Sequence, residues 1–197
     1  MSRNQSRTSE LGFSLIEVLI SILILSFGVL AMGGLQLAAL KSNQIAGNTS
    51  QAATLAKDYT EMMRSNWTVS SNTSTAAGIN PYLFDSSDTS TFTATPADFC
   101  QAAACTTAEI AQLHVADWVD RVTTQLPSAK VVVCRDPAPR NADGSYRWGC
   151  GANDSGTVSI KIGWLDKRES VERGTTTISV TPLNPQLVMS GFTGYAE

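Results

Sequence analysis

The sequence predicts an α+β protein in which a long N-terminal helix packs on a small antiparallel sheet, with an extra helix near residues 107–125. Three observations predict this class. An uncharged apolar run near the N-terminus continues into a helical pattern with no proline before Pro81. A capping-box spacing opens a second helical pattern. The last third of the chain alternates apolar and polar residues, as antiparallel strands with one buried face do.

The first element is an apolar segment that has no charged side chain between Glu17 and Lys41. Residues 18–40 would span about 35 Å as a helix, and the hydrocarbon core of a bilayer is about 30 Å thick. Arg3 and Arg7 precede the segment, which predicts a cytoplasmic N-terminus with the remainder of the chain outside. A cleaved secretory signal has a shorter apolar region that ends at a small-residue site. A membrane helix is therefore the favoured interpretation.

The helical pattern continues over residues 41–64 as an amphipathic half of the same helix. Its apolar positions share one helix face and comprise Ala52, Leu55, Ala56, Tyr59, Met62 and Met63. We expect this face to pack on a globular domain formed by residues 65–197. Within that domain, residues 65–98 are rich in Ser, Thr, Asn and Asp, which predicts a long surface loop with room for one short pairing segment.

A second helix is predicted over roughly residues 107–125. Thr106 and Glu109 have the spacing of a capping box, and Pro127 stands where the helix should have ended. His114 is the only histidine, and no cysteine or carboxylate pattern beside it indicates metal ligation. We interpret it as a partly buried or surface residue of the helix.

Three segments after this helix have the pattern of strands. Residues 131–133 form a short valine run, and residues 157–166 and 175–181 alternate with one apolar face. The charged residues 166–173 are expected to form a solvated hairpin loop between the last two strands. Residues 141–144 form a turn signal whose acidic spacing does not fit a calcium loop.

The four cysteines are Cys100, Cys105, Cys134 and Cys150. Their spacing does not fit the usual CxxC zinc pattern, and an even number of cysteines in an oxidising compartment predicts disulfides. We favour Cys100–Cys105 and Cys134–Cys150 because each pair closes a local loop. Closing the second loop is worth about 3 kcal/mol by chain-entropy estimates. The two crossed connectivities remain alternatives.

Charge and composition exclude several classes of function. The net charge is -3, and no lysine or arginine occurs between Arg64 and Arg121. Nucleic-acid binding needs a basic surface, so we expect no nucleic-acid partner. A single histidine and the absence of a nucleotide-binding loop lead us to predict no catalytic residue, no metal and no cofactor.

The residues at the start of the apolar segment form a specific motif. Gly12 and Phe13 follow a short basic leader, and Glu17 stands at the fifth position from Phe13. This motif resembles the class III signal of type IV prepilins. The resemblance implies that a prepilin peptidase removes residues 1–12 and methylates the new amine, which gives N-methylphenylalanine at Phe13. It also implies that residues 13–40 remain as a membrane and filament-core helix. There, the Glu17 carboxylate would pair with the Phe13 amine of a neighbouring subunit and set the register of the helices.

The C-terminal domain resembles the PilV-type minor pilins, also called type IV pilus modification proteins. The resemblance is carried by Cys134-Arg135-Asp136-Pro137, Cys150 and Trp164-Leu165-Asp166-Lys167-Arg168. It implies a pilin-like fold and a minor subunit that initiates or caps pilus assembly and supports twitching motility and adhesion. The implied partners are other minor pilins, the major pilin, the prepilin peptidase and the inner-membrane assembly platform. The implied location is the inner membrane with a periplasmic C-terminal domain, and then the pilus fibre on the cell surface.

Two other functions remain alternatives. A pseudopilin of a type II secretion system would share Gly12, Phe13 and Glu17, although four cysteines favour the pilus. A membrane-anchored periplasmic enzyme would need a convergent nucleophile, base and orienting group, for which the sequence shows no motif.

Overall fold

The computed structural model describes residues 14–72, 80–88, 104–151, 156–165 and 184–191. The helices are α1 (Leu15–Ser65), α2 (Trp67–Ser70) and α3 (Thr107–Gln125). The strands are β1 (Phe84–Asp85), β2 (Lys130–Arg135), β3 (Val158–Gly163) and β4 (Leu187–Ser190). The strands form a four-stranded sheet in the order β1-β2-β3-β4, and each neighbouring pair is antiparallel. The predicted α+β class with a long N-terminal helix is confirmed.

Helix α1 has two halves of different character, and the chain divides into two compact units after Ala46. In the first unit, the large apolar side chains of α1 from Leu15 to Leu40 are 45–90% exposed. In the second unit, the predicted apolar face of α1 is buried at Ala52, Leu55, Ala56, Tyr59 and Met63. The helix ends at Ser65, where serine, threonine and asparagine become frequent and compete with helical hydrogen bonds.

Helix α3 begins at Thr107 because a complete capping box closes its first turn. The Glu109 backbone N–H donates to the Thr106 hydroxyl at 3.3 Å, and the Thr106 backbone N–H donates to the Glu109 carboxylate at 2.7 Å. The bond from the Thr106 backbone, followed by one from its hydroxyl, lowers the pKa of Glu109. The predicted bounds of this helix are confirmed, and Thr106 sets its start.

An aromatic cluster joins α1, α3 and β1 in the core. Tyr59 lies at its centre, with ring centroids 4.5 Å from Trp118, 6.1 Å from Tyr82 and 6.3 Å from Phe84. The Tyr59 hydroxyl donates to the Tyr82 carbonyl at 2.7 Å, and Trp118 Nε1 donates to the Leu55 carbonyl at 2.9 Å. Burial, together with the neighbouring Tyr82, raises the pKa of Tyr59 well above its ordinary value. These bonds satisfy polar groups that the core would otherwise leave without partners.

Residues 80–88 contain one short pairing segment, for which the loop prediction across residues 65–98 left room, since β1 pairs with β2. Three consecutive side chains there are at most 7% exposed, namely Tyr82, Leu83 and Phe84. The buried Asn80 fixes their approach, because its amide donates to the Asn72 carbonyl at 2.7 Å and its oxygen accepts from the Tyr82 backbone N–H at 3.1 Å. Composition did not indicate which residues of the segment are buried, because average polarity hides one short apolar run. The remaining parts of that segment outside the described residues are 73–79 and 89–98.

The sheet includes two of the three predicted strands. Strand β2 contains the valine run, and β3 forms within the alternating residues 157–166. The predicted strand 175–181 and the hairpin residues 166–173 lie outside the described residues. Just after β3, the Gln186 side chain makes two hydrogen bonds of the kind that a neighbouring strand's backbone would make. Its oxygen accepts from the Trp164 N–H at 2.8 Å, and its amide donates to the Trp164 carbonyl at 2.7 Å.

Candidate functional site

The first turn of α1 holds Glu17, the acidic residue of the predicted prepilin signal. The Glu17 backbone N–H donates to the Ser14 carbonyl at 3.0 Å, and the Ser21 hydroxyl donates to the Glu17 carbonyl at 2.7 Å. A carboxylate in the first turn lies at the positive end of the helix dipole, which is a favourable position for an acidic side chain. Gly12 and Phe13 lie outside the described residues, so the cleavage, the methylation and the Glu17–Phe13 pairing remain predictions.

The exposed half of α1 forms a long apolar surface. Among the described residues, α1 is the helix long and apolar enough to cross a membrane by length and composition. The polar side chains within this half that bond to the helix itself include Ser21 and Ser26, whose hydroxyls donate to the carbonyls four residues earlier. Such a surface is stable only when lipid or other apolar helices cover it.

A second structured region covers the outer face of the sheet. We call it the 136–150 loop. It is bound to the sheet through Lys161 on β3, whose side chain is fully buried. Lys161 Nζ donates to Asp136 Oδ2 at 2.6 Å and to the carbonyls of Trp148 and Gly149. Asp136 also accepts from Arg147 Nη2 at 3.1 Å. Because both charges are paired and hydrogen-bonded, their burial is tolerated.

The charge state of Asp136 follows from these contacts. Burial acts to raise the pKa of its carboxyl group, but hydrogen bonds from Lys161 and from the Ala138 backbone act against it, as do the charges of Lys161 and Arg147. The net effect is a pKa below the ordinary value for aspartate. The carboxylate is therefore ionised over the whole neutral range, and the loop is held by a pair of full charges.

Trp148 fixes the rest of the 136–150 loop to the sheet. Its ring lies over Gly163, where an added Cβ would come within 2.7 Å of Cζ2 and 2.8 Å of Cη2. The Lys130 ammonium lies 5.0 Å from the centre of the same ring, a cation–π distance. All six residues of β3 are consequently buried. The sequence-based expectation that only one face of this strand is covered was wrong, because a loop from elsewhere in the chain covers the other.

The ends of the 136–150 loop meet at a disulfide. Cys134 and Cys150 are bonded, with their Cα atoms 6.0 Å apart, which is one of the two pairs favoured from the sequence. Cys105 is disulfide-bonded as well. Cys100 lies outside the described residues, so its pairing with Cys105 remains a prediction.

His114 lies on α3 and is partly buried, as the sequence suggested. Its Nδ1 has no hydrogen-bond partner among the described residues. No group of three or more His, Cys, Asp or Glu within the described part of the chain could hold a metal ion.

Two family models match adjoining parts of the chain. The model described as the prokaryotic N-terminal methylation motif matches residues 7–33, which include Gly12, Phe13 and Glu17. The model described as type IV pilin Tt1218 matches residues 34–116. The protein is type IV pilin-like. No curated protein and no solved structure matches it.

The pilin-like identification accounts for α1 and leaves another region unexplained. The matched residues include the whole of α1, with its exposed apolar half, and the start of α3. Strands β2, β3 and β4 and the 136–150 loop lie beyond both matched segments. Sequence reasoning missed the pair formed by Asp136 and Lys161. A lysine in an apolar strand was a signal, but nothing in the sequence indicated which carboxylate it binds.

Proposed function

We propose that this protein is a minor pilin of a type IV pilus that helps to initiate or cap pilus assembly. The observation that carries the proposal is the exposed apolar half of α1. Glu17 lies at its start, and would be the fifth residue of the chain after cleavage behind Gly12. A surface of this length is suited first to a bilayer and then to a bundle of identical or related helices. The family models support a pilin in general, and the minor role is our inference.

Processing and assembly follow from the same residues in this proposal. A prepilin peptidase cuts between Gly12 and Phe13 and methylates the Phe13 amine. The Glu17 carboxylate then pairs with that amine in a neighbouring subunit. Burying a lone carboxylate among apolar groups costs free energy, and an opposite charge offsets that cost. The protein acts as a structural subunit and not as an enzyme. Its partners are other minor pilins, the major pilin and the inner-membrane assembly platform.

The PilV-type assignment rests on the C-terminal domain. Its support is the segment around Cys134, the disulfide to Cys150 and the tryptophan that follows β3, Trp164. In this assignment the domain is periplasmic before assembly and lies on the pilus fibre afterwards, where it supports twitching motility and adhesion.

The processing step is tested with paired variants in the source bacterium. Gly12→Ala should block cleavage, whereas Gly28→Ala places the same methyl group where nothing lies within 4 Å and should be processed normally. Intact mass and N-terminal sequencing should show a wild-type chain that begins at methylated Phe13. A chain cut beyond Leu40, or one uncut while the peptidase is active, would refute the pilin proposal.

The assembly step is tested separately. Glu17→Gln should be cleaved but absent from sheared surface fibres, whereas Glu10→Gln changes a residue of the removed leader and should assemble. A deletion strain should lose pili and twitching. Loss of protein secretion with normal pili would instead identify a pseudopilin of a type II secretion system.

A further inference from the structure

We propose that Lys161 is a positioning residue for oxidative folding. Its ammonium group seats the 136–150 loop on the sheet before the disulfide forms, and so directs Cys134 to Cys150 instead of to Cys100 or Cys105.

The ligands of Lys161 lie close to both cysteines along the chain. Asp136 is two positions after Cys134, and the Trp148 and Gly149 carbonyls immediately precede Cys150. A single ammonium group therefore holds both ends of the loop at once. In the structure, where the disulfide is formed, the two cysteine Cα atoms lie 6.0 Å apart.

The other contacts that seat the loop are also non-covalent. The Gly151 N–H donates to the Arg135 carbonyl at 2.9 Å, and the Asp136 N–H donates to the Thr157 carbonyl at 3.0 Å. The first bond joins the residues that follow the two cysteines, and the second joins the residue after β2 to the residue before β3. The Lys161 ammonium is fully buried, and its burial is tolerated only while its three acceptors surround it. It therefore favours the closed loop.

The chemistry is ordinary thiol–disulfide exchange with a disulfide oxidant such as oxidised glutathione. Cys150 is exposed and Cys134 is buried, so the Cys150 thiolate attacks the oxidant and releases one reduced glutathione. The Cys134 thiolate then attacks the mixed disulfide at the Cys150 sulfur and releases the second. Two protein thiols are oxidised while one glutathione disulfide is reduced. Lys161 contributes by raising the effective concentration of Cys134 at that sulfur.

The test uses the full chain in detergent micelles, reduced and then reoxidised in a glutathione buffer. Lys161→Met removes the ammonium while keeping an unbranched side chain, and Lys57→Met makes the same change on exposed α1 surface. After thiol trapping and trypsin cleavage, the native bond links peptide 131–135 to peptide 148–161, which extends to residue 167 in Lys161→Met. Either crossed connectivity links these peptides to peptide 65–121, which carries the other two cysteines.

We expect Lys161→Met to lower the ratio of native to crossed pairs by about tenfold or more, because it leaves buried acceptors without their cation. Lys57→Met should match wild type. A ratio within twofold of wild type, in a Lys161→Met chain with unchanged far-UV circular dichroism, overturns the proposal. If that variant does not fold, the doubly substituted Cys134→Ser/Cys150→Ser chain decides. Slow hydrogen exchange at the Gly151 N–H in this chain supports prior seating of the loop, and fast exchange overturns it.

Discussion

The hydroxyl of Tyr59 offers a single-atom test of the core. Tyr59→Phe keeps the aromatic ring that contacts Trp118, Tyr82 and Phe84 and removes only the group that donates to the Tyr82 carbonyl at 2.7 Å. That carbonyl then loses its hydrogen bond inside the core. A buried polar group without a partner costs about 1–3 kcal/mol, so we expect the free energy of unfolding to fall by this amount.

The assay is thermal unfolding followed by near-ultraviolet circular dichroism in detergent. For a chain of this length each kcal/mol corresponds to about 2–4 °C, so the midpoint should fall by about 2–12 °C. Tyr146→Phe is the matched control, because its hydroxyl accepts from Arg140 Nη2 on the exposed surface. The control should lose less than about 1 kcal/mol, as surface bonds exchange readily with water.

The Tyr59 hydroxyl should also leave a signature in alkaline solution. The folded state raises its pKa, so its contribution to stability is full below pH of about 10 and is lost as the pH rises through the raised pKa. Wild type should therefore lose more stability than Tyr59→Phe between neutral pH and that range. Equal midpoints for both proteins at neutral pH, together with parallel alkaline curves, would show that the Tyr59–Tyr82 bond contributes nothing and would refute the reasoning.

Two further predictions concern the 136–150 loop and its surroundings. Gly156→Ala should destabilise by several kcal/mol more than Gly144→Ala: both glycines have positive φ, but a Cβ at Gly156 would lie 2.6 Å from the Pro137 nitrogen, whereas Gly144 has nothing within 4 Å. Equal unfolding midpoints for the two variants would contradict that crowding. Acid should weaken the loop through Asp136, whose lowered folded pKa gives a contribution that is present above pH of about 4 and lost as the pH falls through it. Unfolding curves of wild type and Asp136→Asn should accordingly converge at low pH, and a constant gap between them would exclude this role.

Local features of this fold could be predicted from the sequence. The start of α3 depends on Thr106 and Glu109, which are three positions apart, so a spacing rule is sufficient. The buried face of α1 follows from helical periodicity in the same way. The Cys134–Cys150 bond was favoured because a short loop is easier to close than a long one.

Features that depend on distant contacts could not be predicted. Lys161 occupies a strand position that usually faces water, and its burial depends on Asp136, which is 25 positions earlier in the chain. The carbonyl of Tyr82 likewise accepts from the hydroxyl of Tyr59, which is 23 positions away. Periodicity and composition describe neighbours in sequence, and neither quantity contains the partner of a long-range bond.

The way Lys161 holds its loop has a consequence for how this surface can evolve. Two of its three acceptors are main-chain oxygens, those of Trp148 and Gly149, which every amino acid supplies. The ammonium thus binds the backbone of the loop. It places little constraint on the identity of the side chains between Pro137 and Tyr146. Mutation can vary the loop tip while the sheet beneath keeps its shape, so the identity of this face can diverge between related subunits without a new fold.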